Sequence, residues 1–281
     1  MCENLQIGSY EYYERLYEVE ERHWWYMGIR EAASRILNAH YQGVSGLNIL
    51  DAGCGTGFTL TWLERYSLPK RAVGIDLSWN AFQFCRRRGQ RLLSQASVLE
   101  LPFKNHFFGL VVCKAVIRHL PGSESDKVAL REFYRVLKPG GSLLLITMLR
   151  PRMVKGKKPA NYRTYSLDEV RDKVQEAGFH ILKLTCTNIL GSIILTIKQY
   201  LKHGKDPLFG IVNLPHRFPP HLEWLNKLLY WVVKSEAWFL SKPCITSSFG
   251  HTIIVMCQKP ESSHQRQQLS AHVTHSQKSM E

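Results

Sequence analysis

The segment Ile49-Leu-Asp-Ala-Gly-Cys-Gly-Thr-Gly57 is the most informative stretch of this 281-residue sequence. A short apolar run ends in the carboxylate Asp51, and three glycines then follow at alternate positions. Glycine accepts a positive φ and allows a ligand to approach the backbone closely. In an open α/β sheet, ligands bind outside the carboxyl ends of the strands. The segment therefore predicts a strand, a ligand-binding glycine loop (residues 53–57) and a helix.

The spacing of the glycines separates this loop from those that bind a dinucleotide or ATP. A dinucleotide fingerprint reads GxGxxG, but Phe58 stands where its third glycine would fall, and no GxxxxGKS or GxxxxGKT loop occurs. Asp76 ends the next apolar run, 19 residues after Gly57, where a carboxylate can accept hydrogen bonds from ribose hydroxyls. These features predict a nucleoside that carries an amino-acid chain rather than a diphosphate.

Strand-like and helix-like segments alternate through the rest of the sequence, which is typical of βαβ crossovers. We predict an α/β fold: a Rossmann-like, doubly wound, seven-stranded and mostly parallel sheet, with an N-terminal helical extension and a helical cap inserted before the last strand. Strands are predicted at 47–51, 71–76, 92–96, 109–114, 142–148, 179–187 and 251–258. Helices are predicted at 58–66, 78–89 (with Ser78 as N-cap), 123–137 and 166–177.

Five parts of the chain follow from this interpretation. We predict an N-terminal helical lid at 1–44 with a break near Gly28, a core at 45–188, a helical cap at 189–248, the final core strand at 249–259 and a disordered tail at 260–281. The second cap helix is expected to bury Leu222, Leu225, Leu229, Val232 and Phe239. Four aromatic residues of that helix are expected to line the acceptor side: Trp224, Tyr230, Trp231 and Trp238.

The composition indicates the class of protein, the compartment in which it occurs and the charge of its partners. Apolar residues make up 44% of the chain, which excludes disorder for the bulk of it. Seven scattered cysteines without a CxxC pair favour a reducing compartment, and the absence of a recognisable signal peptide predicts a cytoplasmic protein. The net charge of +14, with a basic loop at 150–163 holding Lys155, Lys157 and Lys158, favours anionic partners and leaves peripheral contact with a membrane surface open.

Four ordered stretches carry a family resemblance. They are LDAGCGTG at 50–57, VGIDLS at 73–78, LPFKNHFFGLVVC at 101–113 and REFYRVLKPGGSLLLI at 131–146. In this order and spacing the sequence resembles the class I S-adenosylmethionine-dependent methyltransferases of the type 11 group. The resemblance implies that S-adenosyl-L-methionine is the cofactor and methyl transfer the activity.

The resemblance also implies roles for matching residues. Asp51 would lie near the amine of the cofactor and Asp76 would bind its ribose, while Arg30, in an N-terminal helix, is available for its carboxylate. Ser97 stands where many relatives carry an Asp beside the adenine, and a serine hydrogen-bonds the adenine amine more weakly than a carboxylate does. The full set of expected cofactor-binding residues is Asp51, Gly53, Gly55, Gly57, Asp76, Leu77, Ser97, Val98, Lys114 and Arg30.

The acceptor is less defined by the sequence. A hydroxyl acceptor benefits from a general base, and His119, shortly after the fourth strand, is the catalytic candidate, with a structural histidine as the alternative. No Asp/Asn-Pro-Pro-aromatic motif for base amines is present. We therefore favour a small-molecule acceptor of the lipid, quinone, polyketide or sugar type. An RNA acceptor and a non-catalytic cofactor-binding scaffold remain open, and no metal is expected, because His272 and His275 supply only two ligands.

Overall fold

The structure is a computed structural model that describes residues 6–42, 44–150, 163–201 and 220–261. The helices are α1 Tyr10–Val19, α2 Trp24–His40, α3 Phe58–Leu63, α4 Trp79–Arg87, α5 Ser125–Val136, α6 Leu167–Glu176, α7 Ile189–Leu201 and α8 Glu223–Leu240. The strands are β1 Leu47–Ala52, β2 Ser67–Asp76, β3 Leu93–Gln95, β4 Phe108–Lys114, β5 Leu137–Met148, β6 His180–Thr187 and β7 Thr252–Gln258.

The seven strands form one sheet in the order β3-β2-β1-β4-β5-β7-β6. Strands β1 to β5 pair in parallel, and β7 runs antiparallel to both of its neighbours. The predicted fold class is therefore confirmed. Because β2 and β4 lie on opposite sides of β1, the strand order reverses at β1, and ligands bind at such a switch point. The glycine loop follows β1 directly and so lies at this crevice.

Helices cover both faces of the sheet. On one face, α2, α3 and α4 pack side chains such as Leu37, Leu60 and Phe84 against β1 and β4. On the other face, α5 and α6 contribute Phe133 and Val174. Strand β1 is buried from both sides, as expected for the centre of a parallel sheet. Because helices cover both faces of the sheet, its carboxyl edge is where loops can form a site.

The N-terminal segment forms two helices, but the predicted break near Gly28 is wrong. The chain leaves the helix at residues 20–23, and Gly28 lies inside α2. A Cβ at this position would come within 2.7 Å of Cγ2 of Val233 in α8. Gly28 therefore allows α2 and α8 to approach each other closely, and it does not interrupt α2.

The substitution Gly28→Ala is expected to destabilise the protein by about 1–2 kcal/mol, because overpacking costs more than the gain in helix propensity. Thermal unfolding measures the effect. The substitution Val233→Ala should cost less in the Gly28→Ala background than in the wild type, because it relieves the contact. A Gly28→Ala variant with a raised Tm would contradict this account of the interface.

The buried face of α8 differs from the predicted one. Val233, Ala237 and Leu240 are buried against α2 and the sheet, whereas Val232 and Phe239 are 44% and 54% exposed. The predicted stripe is thus wrong at these two positions, because the helix is turned by about one residue. The three tryptophans of this helix, Trp224, Trp231 and Trp238, are exposed, and their expected place on the acceptor side stays a prediction.

Several sequence-based predictions lie outside the described residues. These are most of the basic loop, with Lys155, Lys157 and Lys158, and most of the tail, with His272 and His275. Among the residues that the structure does describe, no helix has the length and apolarity needed to cross a bilayer. The six cysteines within those residues are all free thiols.

Candidate active site

The glycine loop takes the conformation that its sequence requires. Gly53, Gly55 and Gly57 have φ values of +85°, +52° and +79°, a region that side chains rarely adopt. The amides of Gly53 and Cys54 donate to the carbonyl of Ile75 at 2.9 and 2.8 Å, which ties the loop to the end of β2. A Cβ on Gly53 would overlap the side chain of Val116. The loop is therefore shaped by backbone conformation and by close packing.

Asp51 places a buried carboxyl group beneath this loop. The residue is fully buried, and neither carboxylate oxygen has a hydrogen-bond partner among the described residues. Burial raises the pKa of Asp51 to about 7, while the positive charge of Lys114 opposes the rise. A buried carboxylate without donors is costly unless a cation or a donor reaches it. A positively charged group or a hydrogen-bond donor next to Asp51 would offset this cost.

Asp76 connects the glycine loop to α1. Its carboxylate accepts the amides of Gly55 (3.0 Å) and Ser78 (2.9 Å) and the hydroxyl of Tyr13 (3.2 Å). Burial raises the pKa of Asp76, and these hydrogen bonds oppose the rise. Ser78 is the N-cap residue of α4, as predicted, but its hydroxyl donates to the carbonyl of Gly8 instead of accepting an amide of the helix.

A second contact between α1 and the loop is one that the sequence did not indicate. Glu20 is 2% exposed, contacts the hydroxyl of Thr56 and accepts a hydrogen bond from Arg88 at 3.0 Å. Burial raises the pKa of Glu20 to about 7, against the charges of Lys114 and Arg88. The C-terminal end of α1 is therefore held against the glycine loop by a buried acid, a contact that depends on the tertiary structure and has no sequence motif.

The residues expected beside the adenine lie after β2 and β3. Leu77 is 65% exposed, and its carbonyl accepts the side-chain amide of Gln95 at 2.8 Å. The hydroxyl of Ser97 accepts the amide of Leu99 at 3.1 Å and keeps its own proton available for donation. Val98 is buried in the core beneath α5 and packs there rather than at the surface.

A cavity of about 590 Å³, measured together with its open mouth, lies at the carboxyl edge of the sheet. Helix α2 and the ends of β4 and β5 form it, together with the start of β7, which reaches this edge because it is antiparallel. We call it the edge cavity. Its lining residues are Tyr26, Ile29, Arg30, Ala33, Trp62, Lys114, Ala115, Arg118, Ile146, Thr147, Met148, His251 and Thr252.

The edge cavity brings together two of the residues singled out from the sequence. The guanidinium of Arg30 and the ammonium of Lys114 lie 5.3 and 5.8 Å from the ring centre of Phe58, at the start of α3. His119 lies in a 3-10 turn after β4, half-buried, and does not line the edge cavity. The structure therefore brings Arg30 and Lys114 together near the start of α3 and places His119 outside the cavity that they line.

The sequence reasoning missed five polar residues of the edge cavity: Tyr26, Arg118, Thr147, His251 and Thr252. Arg118 is 5% exposed, and burial lowers its pKa to about 9. His251 has its pKa lowered to about 3, first by burial and then by the charge of Arg118, so its imidazole is neutral. The hydroxyl of Thr147 is buried and has no hydrogen-bond partner among the described residues. Only the order and direction of β7 bring His251 to this edge, and no local pattern indicates that.

The comparisons with known proteins agree with this geometry. A doubly wound sheet with a glycine loop at its switch point defines a Rossmann-like α/β protein. Residues 50–145 match the family described as Methyltransferase domain. An S-adenosylmethionine-dependent methyltransferase of Thermotoga maritima shares the fold, with a TM-score of 0.50 at 20% identity over 84% of this chain and 93% of that chain.

Two curated relatives with different names are similar to part of this chain. A demethylmenaquinone methyltransferase of Lactiplantibacillus plantarum is 33% identical over 116 residues, which cover 38% of this chain and 47% of that protein. A tRNA (carboxymethyluridine(34)-5-O)-methyltransferase of Arabidopsis thaliana is 36% identical over 101 residues, which cover 36% of this chain and 24% of that protein. The chain thus spans about half or less of the length of these relatives.

Proposed function

We propose that this chain is an S-adenosylmethionine-dependent methyltransferase that acts on a small-molecule acceptor. The observation that carries the proposal is the carboxylate of Asp51, which is fully buried beneath the glycine loop and has no hydrogen-bond partner among the described residues. A cationic ligand compensates such a carboxylate best. S-adenosylmethionine carries an ammonium group and a sulfonium, and it fits a loop whose backbone a ligand can approach.

The remaining residues of the crevice suit the other parts of this cofactor. Asp76 would accept ribose hydroxyls, because an ionised carboxylate has about four acceptor sites and three donors occupy it now. Arg30 and Lys114 would bind the carboxylate of the cofactor. Leu77 would flank the adenine, and Ser97 would hydrogen-bond its edge. When bound, the cofactor supplies an electrophilic methyl group, and the protein positions the acceptor for it.

The N-terminal helices act as a lid in this proposal. Tyr13 and Glu20 hold α1 against Asp76 and Thr56 at the glycine loop. A ligand that donates hydrogen bonds to Asp76 would compete with the hydroxyl of Tyr13. Helix α8 supports the lid, because it packs on α2 through Val233.

The edge cavity supports a small molecule as the acceptor. Its apolar walls and its limited volume fit a compact organic ligand better than a polynucleotide. An RNA acceptor is the second candidate, which the net charge of +14 and the similarity to a tRNA methyltransferase favour. A methylated RNA species that disappears when the protein is deleted would decide for RNA.

Isothermal titration calorimetry with S-adenosylmethionine and S-adenosylhomocysteine tests the cofactor. We expect micromolar binding that Asp76→Ala weakens by about tenfold or more, because hydrogen bonds to a charged group contribute about 1.5–3 kcal/mol each. Asp168→Ala is the matched control, since it removes a carboxylate that is 77% exposed. Wild-type protein that binds neither compound would contradict the proposed activity and favour a non-catalytic scaffold.

A further inference from the structure

The edge cavity has an apolar part and a basic part. Ile29, Trp62 and Met148 form an apolar wall between α2, α3 and β5. The same lining includes three cationic side chains, Arg30, Lys114 and Arg118, and the imidazole of His251. Among the described residues that line the cavity, none carries a carboxylate. A ligand that fills the cavity would therefore meet an apolar surface and a positive charge.

The positive charge of Arg118 lies within the edge cavity's wall and is shielded from bulk water. The residue is only 5% exposed, and a buried charge interacts more strongly with a ligand charge than an exposed one does. The low pKa of His251 is due in part to Arg118, which places the two side chains close together. His251 stays neutral and adds no charge. Arg30 and Lys114 line the same cavity, but in the proposed function they bind the carboxylate of the cofactor.

Thr147 supplies an independent indication of a ligand. Its side chain is 2% exposed and lines the edge cavity, and its hydroxyl has no hydrogen-bond partner among the described residues. Buried hydroxyl groups are nearly always hydrogen-bonded. A ligand oxygen in the cavity would satisfy the hydroxyl.

We propose that the edge cavity binds an organic acid, with its apolar body against Ile29, Trp62 and Met148 and its anionic oxygen on Arg118 and Thr147. The inference rests on the proposed function only in identifying this ligand as the methyl acceptor. A cationic ligand would be repelled by Arg118, and a neutral one would gain only a weaker hydrogen bond than an anion does. If the nucleophilic atom of the acceptor is already an anion when it binds, methyl transfer needs no general base. This agrees with the edge cavity, because its histidine, His251, is neutral and weakly basic.

A pair of probes of equal shape and different charge tests the proposal. We would measure the binding of 2-naphthoate and 2-naphthamide by calorimetry, with and without S-adenosylhomocysteine. The wild-type protein should bind the acid about tenfold or more tightly than the amide, the effect of one charged hydrogen bond. When S-adenosylhomocysteine is bound, its carboxylate would occupy Arg30 and Lys114, so Arg118→Gln should then bring the two affinities to within about twofold, and Arg118→Lys should keep part of the difference. Thr147→Val should weaken the acid by about threefold to tenfold at nearly constant volume.

Lys138→Gln provides the matched control, because it removes an exposed positive charge outside the cavity. Equal binding of the two probes by the wild type would overturn the inference, as would an acid preference that survives Arg118→Gln when S-adenosylhomocysteine is bound. If Arg118→Gln fails to fold by circular dichroism, the wild-type comparison and Thr147→Val decide the question. Titration with S-adenosylmethionine on the same samples separates the two proposals. Intact cofactor binding without acid binding overturns this inference alone, and the reverse result overturns the proposed function alone.

Discussion

Replacing Asp51 by Asn is expected to weaken the binding of S-adenosylmethionine by about two orders of magnitude, the upper range for a charge-assisted contact, while making the ligand-free protein more stable. Asp51 is fully buried without a hydrogen-bond partner among the described residues, so its negative charge is a cost until a cation binds. Asn keeps the shape and removes the charge. If Asp51 only stabilised the fold, Asp51→Asn would make the ligand-free protein less stable.

The gain in stability should depend on pH. The folded-state pKa of Asp51 is about 7, whereas an unfolded chain has an Asp pKa of about 3.9. Between these values the native protein binds more protons than the unfolded one, so this group makes the protein less stable as pH rises from about 4 to 7. We expect the Tm of Asp51→Asn to equal that of the wild type near pH 4 and to exceed it by about 3–6 °C at pH 8. Glu20 also has a pKa of about 7, so part of the loss of stability with rising pH should remain in Asp51→Asn.

The affinity for the cofactor should also depend on the ionisation of Asp51. Because the cationic ligand needs the ionised carboxylate, wild-type affinity for S-adenosylmethionine should rise between pH 6 and 8, whereas the affinity of Asp51→Asn should change little. Calorimetry at three pH values measures this, with Asp168→Asn as the control for an exposed carboxylate. Unchanged affinity together with a lower Tm would contradict the assignment of Asp51 to the cofactor site.

The sheet and the position of the glycine loop could be predicted because their signals are local. Strand β1 is a run of apolar residues buried on both faces, and the turn after it needs glycine at three positions. Asp51 and Asp76 come together because the ends of neighbouring parallel strands meet at the same edge. Such features follow from the order of residues along the chain and from the geometry of parallel pairing.

The helical packing could not be predicted in the same way. Helix α8 carries apolar residues on several sides, so its periodicity fits a stripe through Val232 as well as one through Val233, and only its contact with Gly28 decides between them. Arg118 was overlooked beside His119, because a 3-10 turn determines which side chain reaches the edge cavity. Both results depend on contacts between elements that are far apart in the sequence.

Gly53→Ala is expected to have the largest effect on folding, with a loss of about 3–5 kcal/mol in the free energy of unfolding. Two costs add up at this position. A left-handed backbone conformation costs a non-glycine residue about 1–2 kcal/mol, and the new Cβ would overlap the side chain of Val116. Urea unfolding measures the loss, and calorimetry should show that the shifted loop no longer binds S-adenosylmethionine.

Gly89→Ala separates the two costs. Gly89 has a φ of +81°, close to the +85° of Gly53, but a Cβ there would meet nothing within 4 Å. This control should lose only the conformational part, about 1–2 kcal/mol, and keep its cofactor binding. Val116→Ala should partly rescue Gly53→Ala, because it removes the methyl groups that the new Cβ would meet. Equal losses for Gly53→Ala and Gly89→Ala would mean that backbone conformation alone requires the glycine, and that close packing against Val116 contributes nothing to the shape of the loop.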